Sequence, residues 1–292
     1  MSEKEATLYL IDGSAYIYRA FYAVRHLSTS SGIPTNAVYG FIGMLNRILR
    51  EKGPSHMAIA LDAPGPTFRH DLSPDYKATR PKMPEDLAKQ IPFIKRLIEA
   101  FGIPSIEIPG YEADDIIGTL AAWASGQGAK VVIVSGDKDL LQLVTPQVQM
   151  WDTMKDEVFG PAEVEEKFGV PPAQVVEVMG LAGDSSDNIP GVPGVGPKTA
   201  QRLIKEFGSV DNLLAKLEKI PREKEREKLK AHAEQATMSR ELVEIKCDVP
   251  IAKDWEQFEL GQSDRQSLVA LYRELEFKKC LQQMEGEKDT QD

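Results

Sequence analysis

Nine carboxylates sit where turns of the chain should gather them: Asp12, Asp62, Glu112, Asp114, Asp115, Asp137, Asp139, Asp184 and Asp187. Asp12, Asp62, Asp137 and Asp139 each follow a short apolar run that reads as a buried strand. Glu112, Asp114 and Asp115 crowd the start of a helix, and Asp184 and Asp187 lie in a polar loop. Like charges at that density repel one another strongly unless a divalent cation neutralises them. Oxygen donors alone suit hard ions, Mg²⁺ or Mn²⁺, and the 4 histidines (His26, His56, His70, His232) show no ligand spacing. Mg²⁺ usually takes only one or two carboxylates, so the set implies two or more ions. Such ions could activate a water and stabilise the leaving oxygen of a phosphodiester. Each carboxylate taken singly reads as a turn or cap residue; recurrence at successive strand ends sets the group apart.

The elements that must position them alternate strand and helix patterns over the first ~175 residues, which predicts a mostly parallel sheet with helices on both faces. Strands are expected at residues 7–11, 57–61, 105–108, 130–135 and 148–151, and helices at 37–49, 85–101 and from 113 on. In such a sheet, ligands bind beyond the carboxyl ends of the strands, where Asp12, Asp62 and Asp137 fall. Helical spacing would put Glu112 and Asp115 on one face and turn Asp114 aside. From Pro161 onward the pattern is helical, over 163–168, 173–182, 199–207, 210–217 and 264–279. Pro171-Pro172 marks the expected boundary between an α/β domain (1–172) and a helical domain (173–292). The charged stretch 216–230 reads as a solvated helix or loop.

Between the second strand and the next helix lies a basic segment with Arg69, His70, Tyr76, Lys77, Arg80 and Lys82. It follows directly on Asp62, so it can hang over the acidic site as a partly helical cover that restricts entry. Lys77 and Arg80 would grip the scissile phosphate, and Tyr76 would stack on an unpaired base; the plain alternative is a long surface loop. The run Gly191-Val192-Pro193-Gly194-Val195-Gly196-Pro197-Lys198-Thr199 misses the nucleotide-binding P-loop because Pro197 intervenes before Lys198 and no strand precedes it. It reads as a helix-hairpin-helix turn whose amides and Lys198 and Lys205 hold a phosphate backbone without reading bases.

Net charge is −10, from 35 basic and 45 acidic residues. Setting the acidic group aside leaves the rest near neutral, so overall charge does not exclude a nucleic-acid partner. The polar N-terminus and the absence of a long apolar run argue against a signal peptide or membrane span. The 2 cysteines fit a reducing cytoplasm.

The chain resembles the structure-specific 5′-nucleases (flap endonucleases), most closely the N-terminal 5′→3′ exonuclease domain of bacterial DNA polymerase I. The likeness rests on Tyr111-Glu112-Ala113-Asp114-Asp115, Ser135-Gly136-Asp137-Lys138-Asp139, the 183–191 loop and the hairpin through Thr199. It implies a PIN-like α/β fold with a helix-hairpin-helix domain, and places all nine carboxylates in the metal site. Tyr76, Lys77 and Arg80 would belong to a mobile arch (about 64–100) as catalytic residues. Arg19, Gly191, Gly194, Val195, Gly196, Lys198 and Thr199 would contact DNA, and a K⁺ ion would sit at the hairpin. Expected substrates are DNA with a 5′ flap, nick or free 5′ end, and RNA primers, in primer removal and repair. The protein would act as a cytoplasmic monomer, standing alone or linked to a polymerase. A non-catalytic branch-binding module and a small-molecule phosphatase are the rival readings.

Overall fold

The structure, a computed structural model, describes residues 6–286. The α/β body begins with β1 (Thr7–Asp12), α1 (Gly13–Ala23), α2 (Asn36–Lys52) and β2 (His56–Leu61). The cover follows as α3 (Phe68–Leu72), a run of turns and α4 (Glu85–Ala88). Then come α5 (Ile91–Ala100), β3 (Ser105–Glu107), α6 (Ala113–Gly126), β4 (Lys130–Val134), β5 (Val148–Asp152), β6 (Glu157–Phe159) and α7 (Pro161–Phe168). Helices α8 (Val175–Ala182), α9 (Pro197–Phe207), α10 (Val210–Ala215), α11 (Glu223–Ala231) and α12 (Ala233–Val243) form the second unit. The described chain ends with α13 (Arg265–Glu274) and α14 (Lys278–Gly286).

The strands form one sheet in the order β3-β2-β1-β4-β5-β6. All neighbours are parallel except β5 and β6. Because both faces are covered, the strands read as continuous apolar runs. Leu8, Leu10, Val131 and Ile133 pack with Ile116, Ile117 and Leu120 of α6 on one side. Ile11, Met57, Ile59 and Val134 pack with Phe41 and Leu45 of α2 and Leu97 of α5 on the other. The strand β1 lies between β2 and β4, so Asp12 and the residues just past those two strands emerge side by side. This is where the strand order reverses, the position at which such sheets hold ligands.

The sequence reading departs from the structure in four places. The helix expected over 85–101 is broken between α4 and α5. Pro92 has no N–H and its ring crowds the carbonyl of residue 88. At the break Gln90 is wholly buried, and its Oε1 accepts from the amides of Ala37 and Val38, capping α2. Residues 264–279 likewise split at Glu276, which adopts φ 58°. Helices α1 and α12 and strand β6 were not expected at all. Finally, residues after 173 do not form one helical unit. Leu181, Val192, Leu203, Ile204, Leu213 and Leu229 share a separate core, but Leu268, Leu271, Tyr272 and Cys280 return to the α/β core beside α2 and α5.

Candidate active site

Asp12 ends β1 and caps α1: its Oδ1 accepts from the Ala15 amide at 3.0 Å and its Oδ2 from the Ser135 hydroxyl at 2.7 Å. Asp62, just past β2, accepts from the Ala113 amide at 2.8 Å and so fixes the start of α6. Beyond β4 the chain turns tightly. The Asp137 amide donates to Ser135 Oγ, and Asp137 Oδ1 accepts from the Asp139 amide, both at 3.0 Å. Opposite them, Asp184 and Asp187 lie in the loop after α8, both buried. That loop is pinned by Gly183 and Gly191, whose backbones cross in close contact with φ of 73° and 58°.

Burial is the main cause that raises Asp12 to about 7, with the charges of Asp137 and Asp62 adding to it against the bonds from Ala15 and Ser135. Burial also pushes Asp114 well above the carboxylate range, followed by Asp12, Asp137 and Glu112. Asp139 is raised to about 8 by burial and then by Asp137, with Asp184 and Asp187 adding smaller effects. These mutual effects link both halves of the acidic set in one electrostatic field.

Four cations are bound to the cluster, one of them Arg69, which is buried against Asp115 and Glu112. Lys77 Nζ donates to Glu112 Oε1 at 2.7 Å and lies 3.8 Å from Asp187 Oδ2. Arg80 pairs with Asp187 Oδ1, through Nε at 3.1 Å and through Nη2. Lys138 reaches Asp184 Oδ2 at 2.5 Å. Burial works to raise Asp184, but Lys138 and Ser186 outweigh it and hold the carboxyl below its usual range. The cover is also tied by its backbone. The Lys77 amide donates to the Asp187 carbonyl at 2.9 Å, and Asn188 Nδ2 donates to the Asp75 carbonyl at 2.7 Å. Lys77 and Asn188 both sit in the left-handed region (φ 55° and 56°), which asparagine tolerates but which costs a lysine about 1–2 kcal/mol. Such local strain is concentrated at functional contacts.

The donor set fits a divalent ion. It is all oxygen, and Asp139 Oδ1 is buried with no hydrogen-bond partner. Among the described residues no three acidic, histidine or cysteine side chains already grip a single point. The carboxylates stand apart with lysine and arginine between them.

Three expectations need correction. The faces of the α6 start are reversed: Asp114 faces Asp12 and Asp137, whereas Asp115 turns inward. Asp115 Oδ2 accepts from the Glu112 amide at 3.0 Å, a capping box that points it back along the chain. Tyr76 does not present its ring. It is 3% exposed, lies edge-on to His70, and donates its hydroxyl to Glu112 Oε2 at 3.1 Å. Among the hairpin candidates, Gly194, Gly196 and Lys198 are exposed and Thr199 is half-buried, but Val195 belongs to the helical core. Gly191 is buried, donating to Ser239 Oγ and accepting from Gln235. Gly196 precedes α9 with Pro197 as its first residue, as expected. Arg19 lies against Gly136 and pairs with Asp152 at 3.2 Å, at the rim of the cleft.

The sequence reading missed Ser135, which orients Asp12, and the ion-pair role of Lys138. Its place between Asp137 and Asp139 was the available signal.

Comparison with known proteins places both parts of the chain. Residues 7–169 match the 5′-3′ exonuclease N-terminal resolvase-like domain, and residues 170–266 match the 5′-3′ exonuclease C-terminal SAM fold. A DNA polymerase I of Bacillus caldotenax is 47% identical over 283 residues, covering 96% of this chain and 32% of the polymerase. The chain thus spans about a third of that relative's length. A 5′-3′ exonuclease of Aquifex aeolicus is 44% identical over 279 residues, covering 96% of this chain and 95% of the relative. In fold, the chain is similar to a bacteriophage T5 flap endonuclease solved with DNA and metal ions (TM-score 0.70, 22% identity, 82% of this chain and 89% of that one). With both domain models matched in order and a relative of nearly the same length aligned almost throughout, this chain belongs to the 5′-3′ exonuclease family.

Proposed function

We propose that this chain is a divalent-metal-dependent, structure-specific 5′ nuclease. It hydrolyses phosphodiesters in 5′ flaps, nicked or branched DNA and RNA primers, during Okazaki-fragment processing and repair. The observation that carries the reading is the convergence of Asp12, Asp137 and Asp139 at the strand ends with Glu112 and Asp187, beneath a cover that places Lys77 and Arg80 on those last two. Asp12, Asp62, Glu112, Asp114, Asp137, Asp139, Asp184 and Asp187 would hold two or more Mg²⁺ or Mn²⁺ ions. Those ions, when bound, supply activation of the attacking water and neutralisation of the leaving oxygen.

The chain's own groups do the rest. Arg80 is half-exposed and Lys77 lies at the cleft edge, so both can turn from Glu112 and Asp187 to a phosphate entering the cleft. There they would offset charge that builds in the transition state. The cover, fastened at Asp75, Lys77 and Arg80, would restrict entry to single strands and free 5′ ends. Gly194, Gly196 and Lys198 present the hairpin turn and the start of α9 to a duplex backbone, giving sequence-independent anchoring. A K⁺ ion held by hairpin carbonyls would strengthen that contact, and Arg19 would steady the strand at the rim. The setting we propose is the cytoplasm, with the protein acting as a monomer in cooperation with a DNA polymerase; among the described residues no helix is long and apolar enough to cross a membrane.

The test compares flap binding and cleavage by the native protein and Asp137→Asn in Mg²⁺. Cleavage should fall by about 10²-fold or more while flap affinity stays measurable. Equal turnover would remove Asp137 from the site, and hydrolysis of an aryl phosphate without DNA cleavage would favour a phosphatase.

A further inference from the structure

We infer that Asp115 is a positioning residue and not a metal ligand: with Arg69 it forms a buried latch that holds the foot of the cover against the acidic cleft. The inference rests on the nuclease reading above and deepens it. Asp115 is 0% exposed and Arg69 2%. Asp115 Oδ1 accepts from Arg69 Nη2 at 2.8 Å and from the Lys246 amide at 2.9 Å. Its Oδ2 accepts from Arg69 Nη1 at 2.8 Å and from the Glu112 amide at 3.0 Å. A carboxylate offers about four acceptor positions, so none remains to bind an ion. Asp114, one residue earlier, is half-buried and faces Asp12 and Asp137.

The remaining donors of Arg69 explain what the pair fastens. Its Nε donates to the Leu242 carbonyl at 2.9 Å and its Nη2 to the Glu244 carbonyl at 2.8 Å. The guanidinium therefore joins three distant parts of the chain: α3 at the foot of the cover, the start of α6, and the segment leaving α12. Planar, bidentate recognition of this kind is specific to arginine. From α3 the path to the chemistry is short. His70 packs edge-on against Tyr76, whose hydroxyl and the neighbouring Lys77 both bind Glu112. Asp115 holds the amide of that same Glu112, and Arg69 Nη1 lies 3.5 Å from Glu112 Oε2. The latch thus fixes both partners of the Lys77–Glu112 contact.

The experiment titrates Mn²⁺ into metal-stripped protein, following free Mn²⁺ by electron paramagnetic resonance, and measures single-turnover cleavage of a 5′ flap at saturating Mg²⁺. Asp115→Asn should bind Mn²⁺ with native stoichiometry and within about twofold of native affinity, whereas Asp114→Asn loses about tenfold or a whole site. Cleavage by Asp115→Asn should slow about tenfold with flap Kd unchanged, and Lys77→Ala should then cost less than it does in the native background, because the lysine is already displaced. Loss of Mn²⁺ affinity in Asp115→Asn, or recovery of its rate at high Mg²⁺, would make Asp115 a ligand and overturn the inference. So would full additivity with Lys77→Ala. Arg69→Gln leaves a buried carboxylate unpaired; the double variant Arg69→Gln/Asp115→Asn should melt higher than it and keep the comparison open if a single variant fails to fold. Native protein that failed to cut the flap would count against the nuclease reading alone, since the Mn²⁺ comparison would still decide the role of Asp115.

Discussion

Lys77 shows how much one side chain can be asked to do. Its backbone is held in the left-handed region, its amide is bonded to the Asp187 carbonyl, and its ammonium is divided between Glu112 and Asp187. Burial works to lower its pKa, but the charges of Glu112 and Asp187 prevail and raise it, so it remains a cation throughout the neutral range. A standing cation suits the proposed charge stabilisation and not proton transfer. Lys77→Ala should lower the cleavage rate by about 10²-fold while flap affinity changes by less than about threefold; rapid-quench kinetics paired with equilibrium binding would show a mere tether if the two effects came out reversed. At this scale the sequence was partly legible. Asp12, Asp62 and Asp137 could be placed because an acidic residue after an apolar strand has one natural exit from a parallel sheet. Asp114 and Asp115 were exchanged because helical spacing relates side chains to each other but not to the cleft. The Glu112-x-x-Asp115 capping pattern carried the missing information. The burial of Tyr76 and the pairing of Arg69 depend on partners far along the chain, which no local pattern discloses.

The loop after α8 is the element on which the second half of the acidic set depends. The backbones of Gly183 and Gly191 approach so closely that a Cβ on either would collide with main-chain atoms, and both have positive φ. Asp184 and Ile189 close the loop with paired backbone bonds at 2.9 and 2.7 Å. Gly191→Ala should therefore destabilise the protein by at least about 2 kcal/mol. It should also slow cleavage, because Asp184 and Asp187 lose their support. Thermal melting alongside flap cleavage would check this, and an unchanged melting temperature would mean that the loop can rebuild around a side chain. The glycines themselves were visible in the sequence, but which would cross and which would face solvent was not. Pro92, also visible, was the overlooked stop within the expected helix of 85–101.

For the molecule as a whole, buried carboxylates are a cost to folding that ions can remove. Asp12 and Asp139 are raised from an ordinary 3.8 to about 7 and about 8. A raised carboxyl pKa means the folded protein binds more protons than the unfolded chain between those values. Stability from these groups is therefore greatest at low pH and falls as pH rises from about 4 to about 8. Mg²⁺ competes with protons for the same oxygens, so its stabilisation should grow across that window. Metal-stripped protein melted at pH 6 and pH 8.5 should show the larger Mg²⁺-induced rise in Tm at pH 8.5, and a pH-independent rise would place the ions elsewhere. The broad architecture was readable because strand and helix periodicities differ so plainly in the first half of the chain. The return of α13 and α14 to the α/β core was not, since an amphipathic helix does not announce which of two cores it will cover.

The most direct test of the account is product mapping on a 5′-labelled flap, with Mg²⁺ and with the metal removed by chelation. The expected result is cleavage at or within about one nucleotide of the flap junction in Mg²⁺, a 5′-phosphate on the downstream strand, and loss of cutting by at least about 10³-fold without metal. Undiminished cleavage in chelator, or fragments with no relation to the junction, would contradict it.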